Sequence, residues 1–151
     1  MKYFLFILIS IIYTASETIS GSVSKVIDGD TIIILMQGNI QERIRLADID
    51  APETGQDFSE KSRLYLSALI AGKTVEIEYK ERDMYGRILG TVYVDGINVN
   101  EEMVKSGLAW NYYYSRNKRM AELEAQAKNE KKNIFSVPNP IQPYDYRRGK
   151  R

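Results

Sequence analysis

A chain of 151 residues with 44% apolar and 27% charged side chains has the size of one domain and the composition of a globular protein, which excludes disorder as the default reading. Its formal net charge is +1, and since Lys2 is the only charge among the first sixteen residues, any electropositive groove for a nucleic acid must be local. The chain contains no cysteine and no histidine, which removes disulfides, thiolate nucleophiles, Cys/His zinc sites and imidazole acid–base chemistry, and leaves carboxylates, arginine, tyrosine and lysine with a hard cation as the natural helper.

Residues 1–16 read MKYFLFILISIIYTAS: one lysine, an apolar run, then small residues. The pattern predicts a secretory signal peptide cleaved after Ser16, and hence a secreted or periplasmic protein with no membrane span after cleavage. Retention as an anchor is the alternative, but the apolar run is well short of the roughly 20 residues a spanning helix needs.

From Gly21 the pattern turns to strands over 22–27, 31–36 and 40–46, joined by the turn Asp28-Gly29-Asp30 and by Gln37-Gly38-Asn39. Asp57 with Glu60 gives a capping-box start to a helix that presents Ser62, Leu66, Leu69 and Ile70 on one face and stops at Gly72. The alternation over 73–81 points Val75, Ile77 and Tyr79 inward, and a strand over 88–94 follows the loop 83–86. Asn100 is expected to cap a short helix over 101–106, and 118–132 to form the longest helix, with Met120, Leu123 and Ala127 inward. Five short strands with a helix between the third and fourth predict an α+β, mainly β domain: a small, partly open Greek-key barrel of the OB type. Residues 137–151 are proline-punctuated and end basic; no regular structure is expected there, although Tyr144 and Tyr146 can pack back on the domain.

The chemistry concentrates between Val26 and Glu53. Asp30 follows an Asp-Gly turn and Asp50 ends a β-type run just before Pro52, so both carboxylates belong at a sheet rim, where converging strand ends can hold a hard cation. Arg45 would face the anion that such a cation attracts. Taken singly, an aspartate near a turn is usually a turn former bonded to backbone.

The segments I-D-G-D-T at Ile27–Thr31, R-I-R-L-A-D-I-D-A-P-E at Arg43–Glu53 and D-M-Y-G-R at Asp83–Arg87 together resemble the thermonuclease (staphylococcal nuclease-like) family. The likeness continues through N-V-N-E at Asn98–Glu101, G-L-A at Gly107–Ala109 and the stretch Ala125–Phe135, so it covers residues 20–136. It implies the same OB barrel with two further helices packed behind it. It also implies a Ca²⁺-dependent endonuclease acting on DNA and RNA and leaving 3′-phosphate ends. A monomer is expected, and single-stranded or easily opened substrate is preferred because a base must leave its stack to reach a tyrosine pocket. By resemblance Asp30 and Asp50 hold Ca²⁺ with the backbone carbonyl of Ala51, where relatives carry threonine. Asp28 shapes the turn or supports the ligands.

On the same basis Glu53 positions or deprotonates the attacking water, Arg45 and Arg87 grip the phosphate, and Tyr85 and Tyr113 line the nucleotide pocket. A further tyrosine expected two places after Tyr113 is Ser115 in this chain. The aromatic run Trp110–Tyr114 offers a stacking platform beside the arginines. Arg43 points the same way as Arg45 under strand alternation but has no counterpart role, and reads as a solvated or rim charge. The rival reading is a non-catalytic OB-fold nucleic-acid-binding module, which loss of the carboxylates would mark; this chain keeps them.

Overall fold

The computed structural model describes residues 15–149. The expected signal peptide lies outside these residues except for Ala15 and Ser16. Among the described residues, no helix is long and apolar enough to cross a membrane.

Five strands make the barrel. They are β1 (Glu17–Val26), β2 (Thr31–Leu35), β3 (Gln41–Leu46), and then, after the two-residue β4 (Ile49–Asp50) and helix α1 (Ser59–Ile70), β5 (Thr74–Arg82) and β6 (Ile88–Val94). Antiparallel pairing runs β3-β2-β1-β5-β6, and parallel pairing of β3 with β6 (Ile44↔Ile88 to Leu46↔Gly90) closes the ring. β1 starts five residues before the apolar pattern announces it. Its first half pairs with β5 from Glu17↔Tyr79, and its second half pairs with β2 beyond Ser22 across a register shift between Val23 and Lys25. A bulge that bends one strand lets it serve both neighbours of a small ring. Its early residues alternate mostly between exposed positions, so only Ile19 reaches the core there and the hydrophobic signal is weak.

The interior is filled by alternate strand residues, Ile32, Ile34, Ile44, Leu46, Val75, Ile77, Ile88 and Val92, and α1 closes one end with Leu66 and Ile70. The capping box expected at Asp57 and Glu60 does not form. The helix begins at Ser59 after Phe58 in a left-handed conformation with no side-chain cap, and Glu60 is engaged by Arg63 at 2.6 Å. Phe58 packs against the core, so an apolar anchor sets the entry of the chain into α1. From α1, Ser62 donates to the carbonyl of Leu108 at 2.7 Å. Gly29 sits against the same hydroxyl: a Cβ there would stand 1.9 Å from Ser62 Oγ, so only glycine lets the Asp-Gly-Asp loop dock this closely on the helix.

After β6 come β7 (Ile97–Asn98), α2 (Val99–Lys105), β8 (Trp110–Asn111) and α3 (Lys118–Asn129). Asn98 caps α2 in place of Asn100, accepting from the Glu101 amide at 3.1 Å. Asn100 is instead buried at the seam of the barrel. Its Oδ1 accepts from the Val92 amide at 3.0 Å and its Nδ2 donates to the carbonyls of Ala47 (2.9 Å) and Gly90 (3.1 Å). It therefore ties α2 to the turn that leads into Asp50. Asn100→Ala would take the side-chain partner from the Val92 amide and the Ala47 carbonyl, while the Gly90 carbonyl keeps the Ala47 amide at 2.8 Å. We expect it to lower stability by about 2–4 kcal/mol, read as a fall in the urea midpoint at unchanged slope.

α3 buries Met120, Leu123 and Ala127 as expected, and Asn117 caps it by accepting from the amides of Arg119 and Met120. The tail departs from expectation. Instead of irregular chain it forms a short helix, α4 (Pro143–Arg147), with Pro143 buried in its first turn, where a fixed φ and a missing N–H are no handicap.

Candidate active site

One cavity of about 750 Å³ opens where the Asp-Gly-Asp loop, the end of β3, β4 and the 83–87 turn meet; Asp30, Arg45, Asp50, Glu53, Tyr85 and Arg87 all line it. The topology explains the convergence. Arg45 pairs with Thr31 on β2 and lies beside Leu89 on β6, so three barrel strands meet at the residue.

Arg45 is the hinge of the charged cluster. One of its terminal nitrogens stands 3.2 Å from Asp30 Oδ2 and 3.2 Å from Asp50 Oδ1, and the other donates to the carbonyl of Leu46 at 2.7 Å. The two aspartates are buried, at 6% and 3% exposed. Asp30 also accepts from the Ala51 amide at 2.7 Å and from the Thr31 hydroxyl at 3.0 Å, and its own amide donates to Asp28 at 3.0 Å. Asp28 is thus a turn former. Burial pushes the Asp30 carboxyl up from 3.8 to about 7, against the pull of Arg45 and with a further push from Asp28 and Asp50.

The donor chemistry suits a hard divalent cation: two carboxylates share a small volume with no nitrogen or sulfur competitor. Among the described residues no set of three or more acidic side chains gathers as a metal cluster, so a cation here would complete its shell with backbone carbonyl and water, as an open Ca²⁺ site does. Ala51 presents its amide to Asp30, and its methyl supplies no donor of its own.

Arg87 is held by Asp83. The Arg87 Nε donates to Asp83 Oδ2 at 2.7 Å, and the amides of Tyr85 and Arg87 donate to Oδ1 at 2.9 and 3.1 Å. Burial pushes the Asp83 carboxyl up, but these bonds outweigh it and hold it below the usual carboxylate range. The Arg87 guanidinium also lies 5.4 Å from the centre of the Tyr85 ring, which is 76% exposed and presents its surface to solvent. Sequence reasoning assigned Asp83 no role, although its Asp-x-x-Gly turn beside an arginine was the available signal.

The aromatic run divides. Trp110 does not join a platform: it is buried edge-on to Phe135 at 4.8 Å, because its pairing with Asp50 turns it toward α3 and the chain beyond. Tyr112 and Tyr114 line the cavity, whereas Tyr113 does not and stacks flat on Tyr144 at 4.4 Å. Ser115, where a tyrosine was expected, donates to Asp48 at 2.7 Å, and Asn117 donates to the same carboxylate at 3.0 Å. The serine thus anchors the tyrosine loop to the turn before β4. Arg43 is exposed and lies outside the cavity wall.

One residue of the site had no forewarning in the sequence. Arg147, from α4, donates to both oxygens of Asp50 (3.1 and 2.8 Å) and to Glu53 at 2.5 Å. Hydrogen bonding to Asp50 and then to Glu53 holds its guanidinium above its ordinary range. It lies 94 residues from Glu53 along the chain, within a basic run that carries no local pattern.

The sequence model of the family described as "Staphylococcal nuclease homologue" matches residues 43–137. An "Uncharacterized endonuclease" of Escherichia coli is 44% identical over 134 residues, 87% of each chain. Another of that name from Haemophilus influenzae is 41% identical over 127 residues, 83% of this chain and 71% of its own. A "Micrococcal nuclease" of Shigella flexneri is 39% identical over 140 residues, covering 85% of this chain and 80% of its own. With the closed five-stranded barrel and the carboxylate–arginine rim on one face of it, these matches show that the chain belongs to the staphylococcal nuclease family.

Proposed function

We propose that this chain is a secreted or periplasmic, monomeric, Ca²⁺-dependent endonuclease that hydrolyses phosphodiester bonds of DNA and RNA and leaves 3′-phosphate ends. The observation that carries the reading is the gathering of Asp30, Asp50, Glu53, Arg45 and Arg87 on one cavity wall. Family membership and the nuclease names of the relatives support it.

In this reading Asp30 and Asp50, with the Ala51 carbonyl, would hold the cation, which would supply positive charge to the developing phosphate charge. The chain's own residues supply the rest. Glu53 accepts a proton as water attacks phosphorus, the bond from phosphorus to the 5′ oxygen breaks, that oxygen takes a proton from solvent and leaves as a hydroxyl, and Glu53 returns its proton to solvent. Arg45 and Arg87 present N–H donors to oxygens whose charge grows in the transition state. Tyr85 offers a ring to the neighbouring base, a contact that any base can make.

The test compares initial rates on a single-stranded DNA oligonucleotide, its duplex and the matching RNA at fixed ionic strength, with Ca²⁺, with Mg²⁺ and with excess EDTA. Ca²⁺ is expected to outperform Mg²⁺, whose strict octahedron suits an open site poorly, and EDTA to abolish the reaction. Single strands should be cut faster than duplex, because a base must leave its stack to reach Tyr85, at a cost of a few kcal/mol in a duplex. Full activity in EDTA would sink the metal mechanism, and tight binding without turnover would identify a binding module.

A further inference from the structure

The tail helix α4 touches the site at two places. At one, Arg147 spans Asp50 and Glu53, the carboxylates read above as cation ligand and base. At the other, Tyr144 lies parallel to Tyr113 at 4.4 Å and an interplanar angle of 5°, covering one ring face, and its hydroxyl lies 3.1 Å from that of Tyr114, which lines the cavity. Between these contacts and the barrel the segment is pinned by buried Pro143 and by Gln56, whose Nε2 donates to the carbonyl of Ile141 at 2.6 Å. A guanidinium thus sits on the carboxylates and an aromatic ring sits on the exposed tyrosine, which are the two kinds of group that a cation and a nucleobase would otherwise satisfy.

We infer that α4 is an intramolecular occupant of the active site: Arg147 competes with the divalent cation for Asp50 while holding the base Glu53, Tyr144 competes with a base for Tyr113, and cation binding releases the strap. The inference rests on the calcium reading above. Its physical basis is charge and geometry. Arg45 already stands between Asp30 and Asp50, and Arg147 brings a second guanidinium onto Asp50 and Glu53, into the volume that the cation would enter. Both oxygens of Asp50 are engaged by Arg147, so a cation and this guanidinium cannot use the carboxylate fully at the same time. The contact is reversible by construction, because Arg147 is 41% exposed on its side chain and α4 has only five residues. Releasing α4 would also free Tyr113, giving the ring the role that its sequence position implied.

The experiment measures Ca²⁺ binding to the full chain by calorimetry, without nucleic acid, for the wild type, Arg147→Ala and Tyr144→Ala. Hydrogen exchange of residues 139–149 in the wild type is followed with and without Ca²⁺. Arg147→Ala is expected to bind Ca²⁺ about tenfold more tightly. Tyr144→Ala, which leaves every charge in place, should shift affinity in the same direction by about threefold through a looser strap. Wild-type exchange in the tail should rise on adding Ca²⁺. Equal or weaker Ca²⁺ binding by both variants, or a tail whose protection rises with Ca²⁺, would overturn the inference while leaving the calcium reading intact. Absence of Ca²⁺ binding in all three proteins would overturn the calcium reading, and the competition with it.

Discussion

Arg87→Ala is expected to reduce turnover by roughly 10³–10⁵, on the scale set by arginines that meet a transferring phosphoryl group. At 1.36 kcal/mol per tenfold, this asks the side chain for about 4–7 kcal/mol in the transition state. Arg87 is the cleaner arginine to remove. Arg45 is wedged between buried Asp30 and Asp50, so its loss would leave Asp30 without its ion-pair partner and Asp50 with Arg147 alone, and would confound catalysis with stability. Arg87 lies at the rim, and Asp83 keeps the amides of Tyr85 and Arg87 when the guanidinium is gone. The urea midpoint should therefore hold while kcat falls. Arg87→Lys should recover only part of the loss, since an ammonium restores the charge but not the planar fork. A tenfold loss or less in Arg87→Ala would place the residue outside the reacting centre.

Glu53→Gln should lower kcat by roughly 10²–10⁴, the usual worth of a positioned general base. The amide keeps the shape of the carboxyl but cannot take a proton. The substitution is conservative for the fold, because the Glu53 side chain is 40% exposed and its partner is Arg147, itself at the surface. Calorimetric Ca²⁺ binding separates the two ways the variant can fail. If Glu53 handles the water, affinity for the cation holds or rises as Arg147 loses one of its two carboxylates, and the loss appears in kcat. If Glu53 chiefly attracts the cation, affinity falls and saturating Ca²⁺ restores the rate.

Much of this protein was legible along the chain, because the properties that decide it are local. Alternation of apolar residues set the inner face of β2, β3, β5 and β6, since a period of two leaves one set of side chains for the core. The Asp-Gly-Asp turn and the proline after Asp50 located two carboxylates at strand ends, and the spaced motifs associated them with Arg45, Glu53 and Arg87. The start of β1 escaped because its pairing with β5, not its own hydrophobicity, makes it a strand. Asn98 and Asn100 were exchanged for a related reason. Both have side chains able to cap α2, and only the packing of that helix on the barrel decides that Asn100 faces Val92, Ala47 and Gly90.

The division falls between groups whose neighbours lie within a turn or strand and groups whose neighbours arrive from far along the chain. Local pattern along the chain announced the barrel's strands apart from the start of β1, the placing of Asp30 and Asp50 at strand ends, and the exclusion of thiol and imidazole mechanisms. Tertiary structure alone decided that Trp110 is core while Tyr112 and Tyr114 line the cavity, that Ser115 anchors Asp48, and that Arg147 closes on Asp50 and Glu53. The physical reason is that an ion pair or a ring stack needs only proximity and orientation. These contacts leave no periodicity and no spacing in the chain, so they come into view only when the barrel and the tail helix bring the partners together.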